Sequence, residues 1–175
     1  LDGMFAFCIF DYSKNIFYLA RDKFGEKPLY YGWNNNVFIF GSDLNILKDH
    51  KFFNRELDHH AISYFLKLSY IPSPLTIFKN MKKLIPGSFL KISYSNMETI
   101  LSSYWSVDQN ITKENLSNNF SENDYIDKCN KILTKNVISR TLADVPIGAF
   151  LSSGVDSALI VSIIKSHTNK KLSTF

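Results

Sequence analysis

Apolar and aromatic residues fill positions 4–10 and 16–20, and the polar stretch 11–15 separates them, a pattern that predicts a β-hairpin with a polar turn. Residues 29–33 and 37–40 flank Asn34, Asn35 and Asn36 and predict a second hairpin, because asparagine tolerates the left-handed conformations a tight turn needs. The early chain therefore reads as antiparallel sheet. Residues 43–48 predict a short helix. Asp58 is placed to cap a longer helix reaching about Ser69, with Ile62, Phe65, Leu66 and Ser69 on one side. Pro72 and Pro74 close that segment, since proline lacks an N–H and restricts its predecessor. A strand over 89–94 follows the Pro86-Gly87 turn.

Residues 108–122 are rich in Asn, Ser, Thr and Glu and read as a linker, which divides the chain into 1–107 and 123–175. Ser121 with Asp124 forms a candidate capping box, and Tyr125, Ile126, Cys129, Ile132, Leu133 and Val137 recur at helical spacing. Residues 145–151 then predict a central strand and 158–165 a helix apolar nearly all round. Leu172 opens another strand, which completes a βαβ unit. The fold class expected is α+β followed by α/β. Ligands of such parallel sheets bind outside the carboxyl ends of the strands, where Ser152 to Ser157 lie.

Composition narrows the function. A 45% hydrophobic content with 15% aromatic residues suffices for a packed core. The net charge of +4 comes from scattered lysines, which argues for a solvated surface and against nucleic-acid binding. No apolar run approaches the roughly 20 residues needed to span a bilayer, so no membrane segment is expected. Cys8 and Cys129 fall in different predicted domains, which argues against a disulfide or a zinc site, and Cys8 is expected as a small buried thiol. His59 and His60 read as a surface pair. Arg21, Asp22 and Lys27 around Gly25 form either an anion pocket or a self-paired loop; the loop is favoured, because Arg–Asp neighbours at a strand end commonly order a turn. The aromatic set Phe5, Phe7, Phe10, Phe17 and Tyr18 reads as core, since it lacks the interleaved basic residues of a base-stacking platform.

The strongest chemical signal is the turn Leu151, Ser152, Ser153, Gly154, Val155, Asp156 and Ser157, set between the predicted strand and helix. The first N–H groups of a helix have no partner within it, and the macrodipole places partial positive charge there, so an anion is stabilised. The three serines add hydroxyl donors, and Gly154 is expected to permit close approach and positive φ. Asp156 would repel a phosphate unless a cation lay between them, which points to Mg²⁺ held by Asp156. The alternative is that Asp156 or Ser157 only caps the helix. A Walker A loop is excluded, because no lysine stands between Gly154 and Ser157.

The segment from Ala143 to Ser157 resembles the S-D-V-P-x-G-x-x-L-S-G-G-x-D-S pattern of the asparagine synthetase (glutamine-hydrolysing) family. Four upstream stretches resemble the later part of that family's glutamine-hydrolysing domain, in order. They are residues 1–7, residues 21–31, Gly41-Ser42-Asp43 with Leu47, and residues 70–78 followed by Lys83-Leu84-Ile85-Pro86-Gly87. The resemblance implies the C-terminal half of an N-terminal-nucleophile-type antiparallel sheet domain, then the first βαβ elements of a PP-loop ATP pyrophosphatase domain. It also implies that the catalytic cysteine precedes Leu1, so that no glutaminase nucleophile lies within 1–175, and that the chain is an internal piece of a longer protein.

For the parent protein the resemblance implies ATP-dependent adenylation of the aspartate side-chain carboxylate. Glutamine-derived ammonia then attacks, giving asparagine, AMP, pyrophosphate and glutamate. ATP and pyrophosphate would lie on residues 151–157, with Mg²⁺ on Asp156, in a cytoplasmic enzyme with small-molecule partners and room for a homodimer. Acceptors other than aspartate (a sugar acid, a peptide or a lactam precursor) and a non-catalytic nucleotide-binding remnant stay open at this stage. One departure stands out: Ser153 occupies a position where the family usually has glycine.

Overall fold

The structure, a computed structural model, describes residues 1–34, 36–110, 120–168 and 171–175, in two compact units, Leu1–Thr112 and Lys113–Phe175. In the first unit, β1 (Ala6–Asp11) pairs antiparallel with β2 (Ile16–Arg21), in a register running from Ala6↔Arg21 to Asp11↔Ile16. Their turn is locally encoded: the Asp11 carboxylate accepts from the Ser13 and Lys14 N–H groups at 3.0 and 3.2 Å, and Asn15 takes φ 53°. The second hairpin joins β3 (Tyr30–Asn34) to β4 (Val37–Gly41), and Asn36 supplies φ 63°.

Two strands escape sequence reading, one a pair of lysines and the other with only Ile100 and Leu101 apolar. β5 (Lys82–Lys83) pairs with β3, and β7 (Thr99–Ser103) pairs with β6 (Ser88–Ser93). The result is a four-stranded antiparallel sheet in the order β1-β2-β6-β7 and a three-stranded one in the order β4-β3-β5. Buried Leu19, Leu29, Leu84, Leu90 and Ile92 form the shared core, with Ala6, Phe17, Tyr31, Trp33 and Phe38 packed against it. The aromatic set expected as core is thus only half buried. Its members pair along the sheet, Phe10 on Phe17 at 4.3 Å and Phe5 on Phe7 at 5.3 Å, while aliphatic residues fill the interior.

Helix α1 (Leu44–Leu47) is capped by Asp43, and α2 (His59–Leu68) by Asp58, whose carboxylate accepts from the His60 and Ala61 N–H groups. Ser69, at φ 62°, ends α2 in the left-handed conformation before either proline is reached. The apolar side expected of α2 is not packed: Ala61 is its buried residue, whereas Phe65 is 52% and Leu66 79% exposed. Cys8 also departs from expectation. It lies exposed on β1, which has a strand neighbour on one side only among the described residues, although partial burial still raises its thiol pKa.

A short α3 (Val107–Asn110) follows in this unit, and residues 111–119 of the predicted linker lie outside the described residues. In the second unit, α4 (Glu122–Ser139) opens on the capping box anticipated at Ser121 and Asp124, with the Asp124 N–H donating to Ser121 Oγ and the Ser121 N–H to Asp124 Oδ2. Val137 of α4 packs with Ile163 and Ile164 of α5 (Val155–His167), flanked by Leu133, Ile138, Ile160 and Leu172. The strand expected over 145–151 is reduced to β8 (Gly148–Ala149), which pairs in parallel with β9 (Ser173–Thr174). Among the described residues it has that one neighbour, and Phe150 is 87% exposed. The β8–α5–β9 order is nonetheless the βαβ unit predicted.

What locks the first unit is the turn after β2. Asp22 is 1% exposed, and its carboxylate accepts from the N–H groups of Phe5, Phe24, Glu26 and Lys27 at 3.3, 3.2, 2.9 and 3.0 Å. Arg21 donates to the carbonyls of Lys27, Leu84 and Gly25 at 2.8, 2.7 and 2.7 Å. Gly25 takes φ 69°, and a Cβ there would fall 2.8 Å from Pro86 and 2.9 Å from the guanidinium carbon. Burial alone would raise the Asp22 pKa, but the hydrogen bonds from Lys27, Glu26, Phe5 and Phe24 overcome it and hold the carboxyl below its usual value.

Replacing Asp22 by Asn turns one acceptor into a donor facing N–H groups, and is expected to cost about 2–4 kcal/mol in urea denaturation. Because the folded pKa lies below the unfolded value of about 3.9, the ionised Asp22 stabilises the fold above that pH and stops doing so as pH falls through the folded pKa. The gap between wild type and Asp22→Asn should therefore narrow in acid.

Candidate functional site

The seven residues singled out in sequence lie together at the carboxyl end of β8 and the start of α5. Leu151 continues the ladder past β8, its N–H donating to the Phe175 carbonyl at 2.9 Å, so the strand delivers the chain directly into the turn. Ser152 and Ser157 then close on each other with 2.8 Å between their hydroxyl oxygens. The Gly154 N–H donates to Ser152 Oγ at 3.1 Å, and Ser157 Oγ lies 3.0 Å from the Gly154 carbonyl and 3.3 Å from that of Ser152. Ser153, Val155 and Asp156 are exposed and take no part in this network.

The geometry alters how this turn is read. Gly154 is the N-cap of α5 with φ −80° and ψ 149°, an extended conformation open to any residue, so positive φ is not the reason for glycine. Ser153 likewise is not among the residues with positive φ, so its side chain brings no left-handed strain. The hydroxyls of Ser152 and Ser157 are also not simply free donors, because they are engaged within the turn.

What remains outward is backbone. The first N–H groups of α5 have no carbonyl one turn earlier, Gly154 gives no side-chain cap, and Ala158 is the first residue to bond back, to the Gly154 carbonyl at 3.2 Å. Asp156 in the first turn places a carboxylate where the helix dipole favours negative charge, so a purely structural role is physically adequate for it. Among the described residues no group of three or more His, Cys, Asp or Glu side chains is set to hold a metal ion.

The other expectations sort themselves. His59 and His60 are exposed, with the His60 ring 4.8 Å from Tyr64. Cys129 is free, as is Cys8. No helix among the described residues is long and apolar enough to cross a membrane. Sequence reasoning missed Lys83, which lines a cavity with Arg21; its only signal was its place in the segment before Pro86-Gly87.

An antiparallel sheet unit followed by a βαβ unit with a self-bonded serine turn defines a class of two-part chain. Comparison with known proteins gives it a family. Residues 1–105 match the glutamine amidotransferase domain, and residues 128–175 match asparagine synthase. The chain is 35% identical to a Methanocaldococcus jannaschii protein named "Putative asparagine synthetase (glutamine-hydrolyzing) 2", over 99% of this chain and 33% of that one. It is 30% identical to asparagine synthetase (glutamine-hydrolyzing) 3 of Bacillus subtilis, over 98% of this chain and 27% of the relative. It is 31% identical to asparagine synthetase (glutamine-hydrolyzing) 1 of the same organism, over 100% and 26%. The chain belongs to the glutamine-hydrolysing asparagine synthetase family, and it spans about a third to a quarter of the length of these relatives.

Because neither position needs a left-handed backbone, Ser153→Gly and Gly154→Ala should each change stability by no more than about 1 kcal/mol. A Cβ at residue 154 would lie 3.2 Å from Ser152 Oγ and 4.0 Å from Ser157 Oγ, so the turn has to give by only a few tenths of an ångström. Urea denaturation of both variants checks this, and a larger loss would mean that the turn is strained after all.

Proposed function

We propose that the protein carrying this chain is a glutamine-dependent asparagine synthetase. ATP activates the side-chain carboxylate of aspartate as an acyl-adenylate, and ammonia from glutamine displaces AMP to give asparagine. The observation that carries the reading is the pairing, in one chain and in this order, of a glutamine amidotransferase match with an asparagine synthase match whose opening βαβ unit bears the serine turn. Aspartate as acceptor rests on the names of the relatives. Residues 1–107 are assigned to the amidotransferase domain of the N-terminal-nucleophile type, 108–122 to the linker and 123–175 to the start of the PP-loop synthetase domain.

In this reading Leu151 to Ser157 receives the pyrophosphate of ATP. The unpaired N–H groups at the start of α5 face the anion, and the Ser152–Ser157 closure holds the turn in shape before the ligand arrives, which is how preorganised dipoles assist a charged leaving group. Asp156 is a single exposed hard-oxygen ligand, a donor set that fits Mg²⁺, which typically takes one or two carboxylates together with phosphate oxygens and water. Bound there, Mg²⁺ would offset the charge growing on pyrophosphate.

In the whole enzyme, Asp156→Asn should lower ATP–pyrophosphate exchange by about a hundredfold or more while glutamine hydrolysis stays within about twofold, since the two chemistries occupy different domains. Equal loss of both in a folded protein would refute the assignment. Ser153→Gly should shift the apparent ATP affinity by less than about tenfold, or about 1.4 kcal/mol. A silent wild type revived by the glycine would instead identify Ser153 as an inactivating change.

A further inference from the structure

The turn after β2 does more than close the fold. Arg21 and Lys83 both line a cavity of about 310 Å³, with Tyr30, Tyr70, Ser73 and Pro72 among its walls and no aspartate or glutamate. Both cations are held in place. The Arg21 guanidinium spends one N–H each from Nε, Nη1 and Nη2 on the backbone carbonyls of Lys27, Leu84 and Gly25, so its two terminal nitrogens each keep a second N–H. The Lys83 ammonium donates to the Ile71 carbonyl.

Carbonyl dipoles orient these groups without cancelling their charge. Neither is in an ion pair with a carboxylate among the described residues. The carboxylate nearest in sequence, Asp22, is already committed to four backbone N–H groups and does not line the cavity. The hydroxyls of Tyr30, Tyr70 and Ser73 have no hydrogen-bond partner among the described residues.

Two like charges confined together repel, and partial burial removes the water that would otherwise screen them. The titration behaviour agrees: burial, then the charge of Arg21, pulls the Lys83 pKa below its usual value, and burial pulls down that of Arg21 despite the attraction of Asp22. An anion between them reverses each of these costs. A planar guanidinium beside an ammonium, with hydroxyl donors around them, is the chemistry that recognises phosphate and carboxylate oxygens.

We propose that the cavity between Arg21 and Lys83 is a binding site for a small free oxyanion, a phosphate or a short dicarboxylate, separate from the serine turn of the second unit. The volume lies at the low end of small-molecule sites, so the ligand is compact. Lys83 supplies charge that can be removed without dismantling the turn, whereas Arg21 is part of the fold itself.

The test titrates the full chain with inorganic phosphate and, in a parallel arm, with succinate, following heat by calorimetry and the acylation rate of individual lysines by mass spectrometry. Expected is saturable binding of one or both anions, weakened about tenfold or more by Lys83→Gln and unchanged by Lys82→Gln. The arm that binds more tightly identifies the class. In the unmutated chain, the bound anion should slow acylation of Lys83 about threefold or more and leave exposed Lys82 unaffected, a readout that holds even if a variant fails to fold. The proposal is overturned if neither anion protects Lys83, or if binding persists undiminished in a folded Lys83→Gln.

Discussion

The first unit hangs on one buried carboxylate. Asp22 gathers N–H groups from Phe5, ahead of β1, and from three residues of its own turn, while its backbone carbonyl accepts from Gly25 and from Gly87, one residue before β6. A single residue, through its side chain and its carbonyl, thereby fixes where β1 enters, where β2 leaves and where β6 begins. A charge with 1% exposure is tolerable only because its oxygens are so fully supplied with donors; remove one partner and the penalty is that of an unsatisfied buried ion. Arg21 works outward from the same point, pinning the carbonyls of residues 25, 27 and 84, and Tyr104 returns to donate to the Arg21 carbonyl at 2.7 Å. The turn is therefore the place where remote segments meet, and its Arg21, together with Lys83, makes the neighbouring cavity positive.

What could be read in the sequence was what short-range chemistry encodes. Asp43, Asp58 and Ser121 cap helices within three residues of themselves, Asn15 and Asn36 turn hairpins, and none of this needs knowledge of distant partners. What escaped was set by partners far away. Lys82 and Lys83 form a strand only because Tyr31 and Tyr30 lie opposite, and Thr99 to Ser103 only because β6 offers an edge. Burial was misjudged for the same reason: an apolar run states that a residue could be buried, as at Cys8, Phe65 and Leu66, and only the neighbours decide whether it is.

The candidate site shows the same division. Its position between strand and helix followed from periodicity, and the structure brings Ser152, Gly154 and Ser157 into contact as expected of a tight turn. The reason assigned to glycine did not survive. At φ −80° Gly154 is chosen, on physical grounds, for the missing side chain rather than for backbone freedom. That shifts the question from conformation to approach: a Cβ would stand 3.2 Å from Ser152 Oγ and against whatever lies on the turn.

Seen this way, Ser153 becomes easier to accommodate within the proposed reading. Ser152 and Ser157 use their hydroxyls on each other and on the carbonyls of Ser152 and Gly154, so in this conformation they act as struts. Binding of an anion would then fall to the backbone N–H groups at the start of α5, which are the same whatever side chain precedes them. Ser153, exposed and unconstrained in φ, can turn its hydroxyl toward a ligand or away from it at the cost of a rotamer change, whereas loss of Ser152 or Ser157 would release the turn itself. A serine is thus least costly at the one of the three serine positions in this turn where the structure does not already use the hydroxyl.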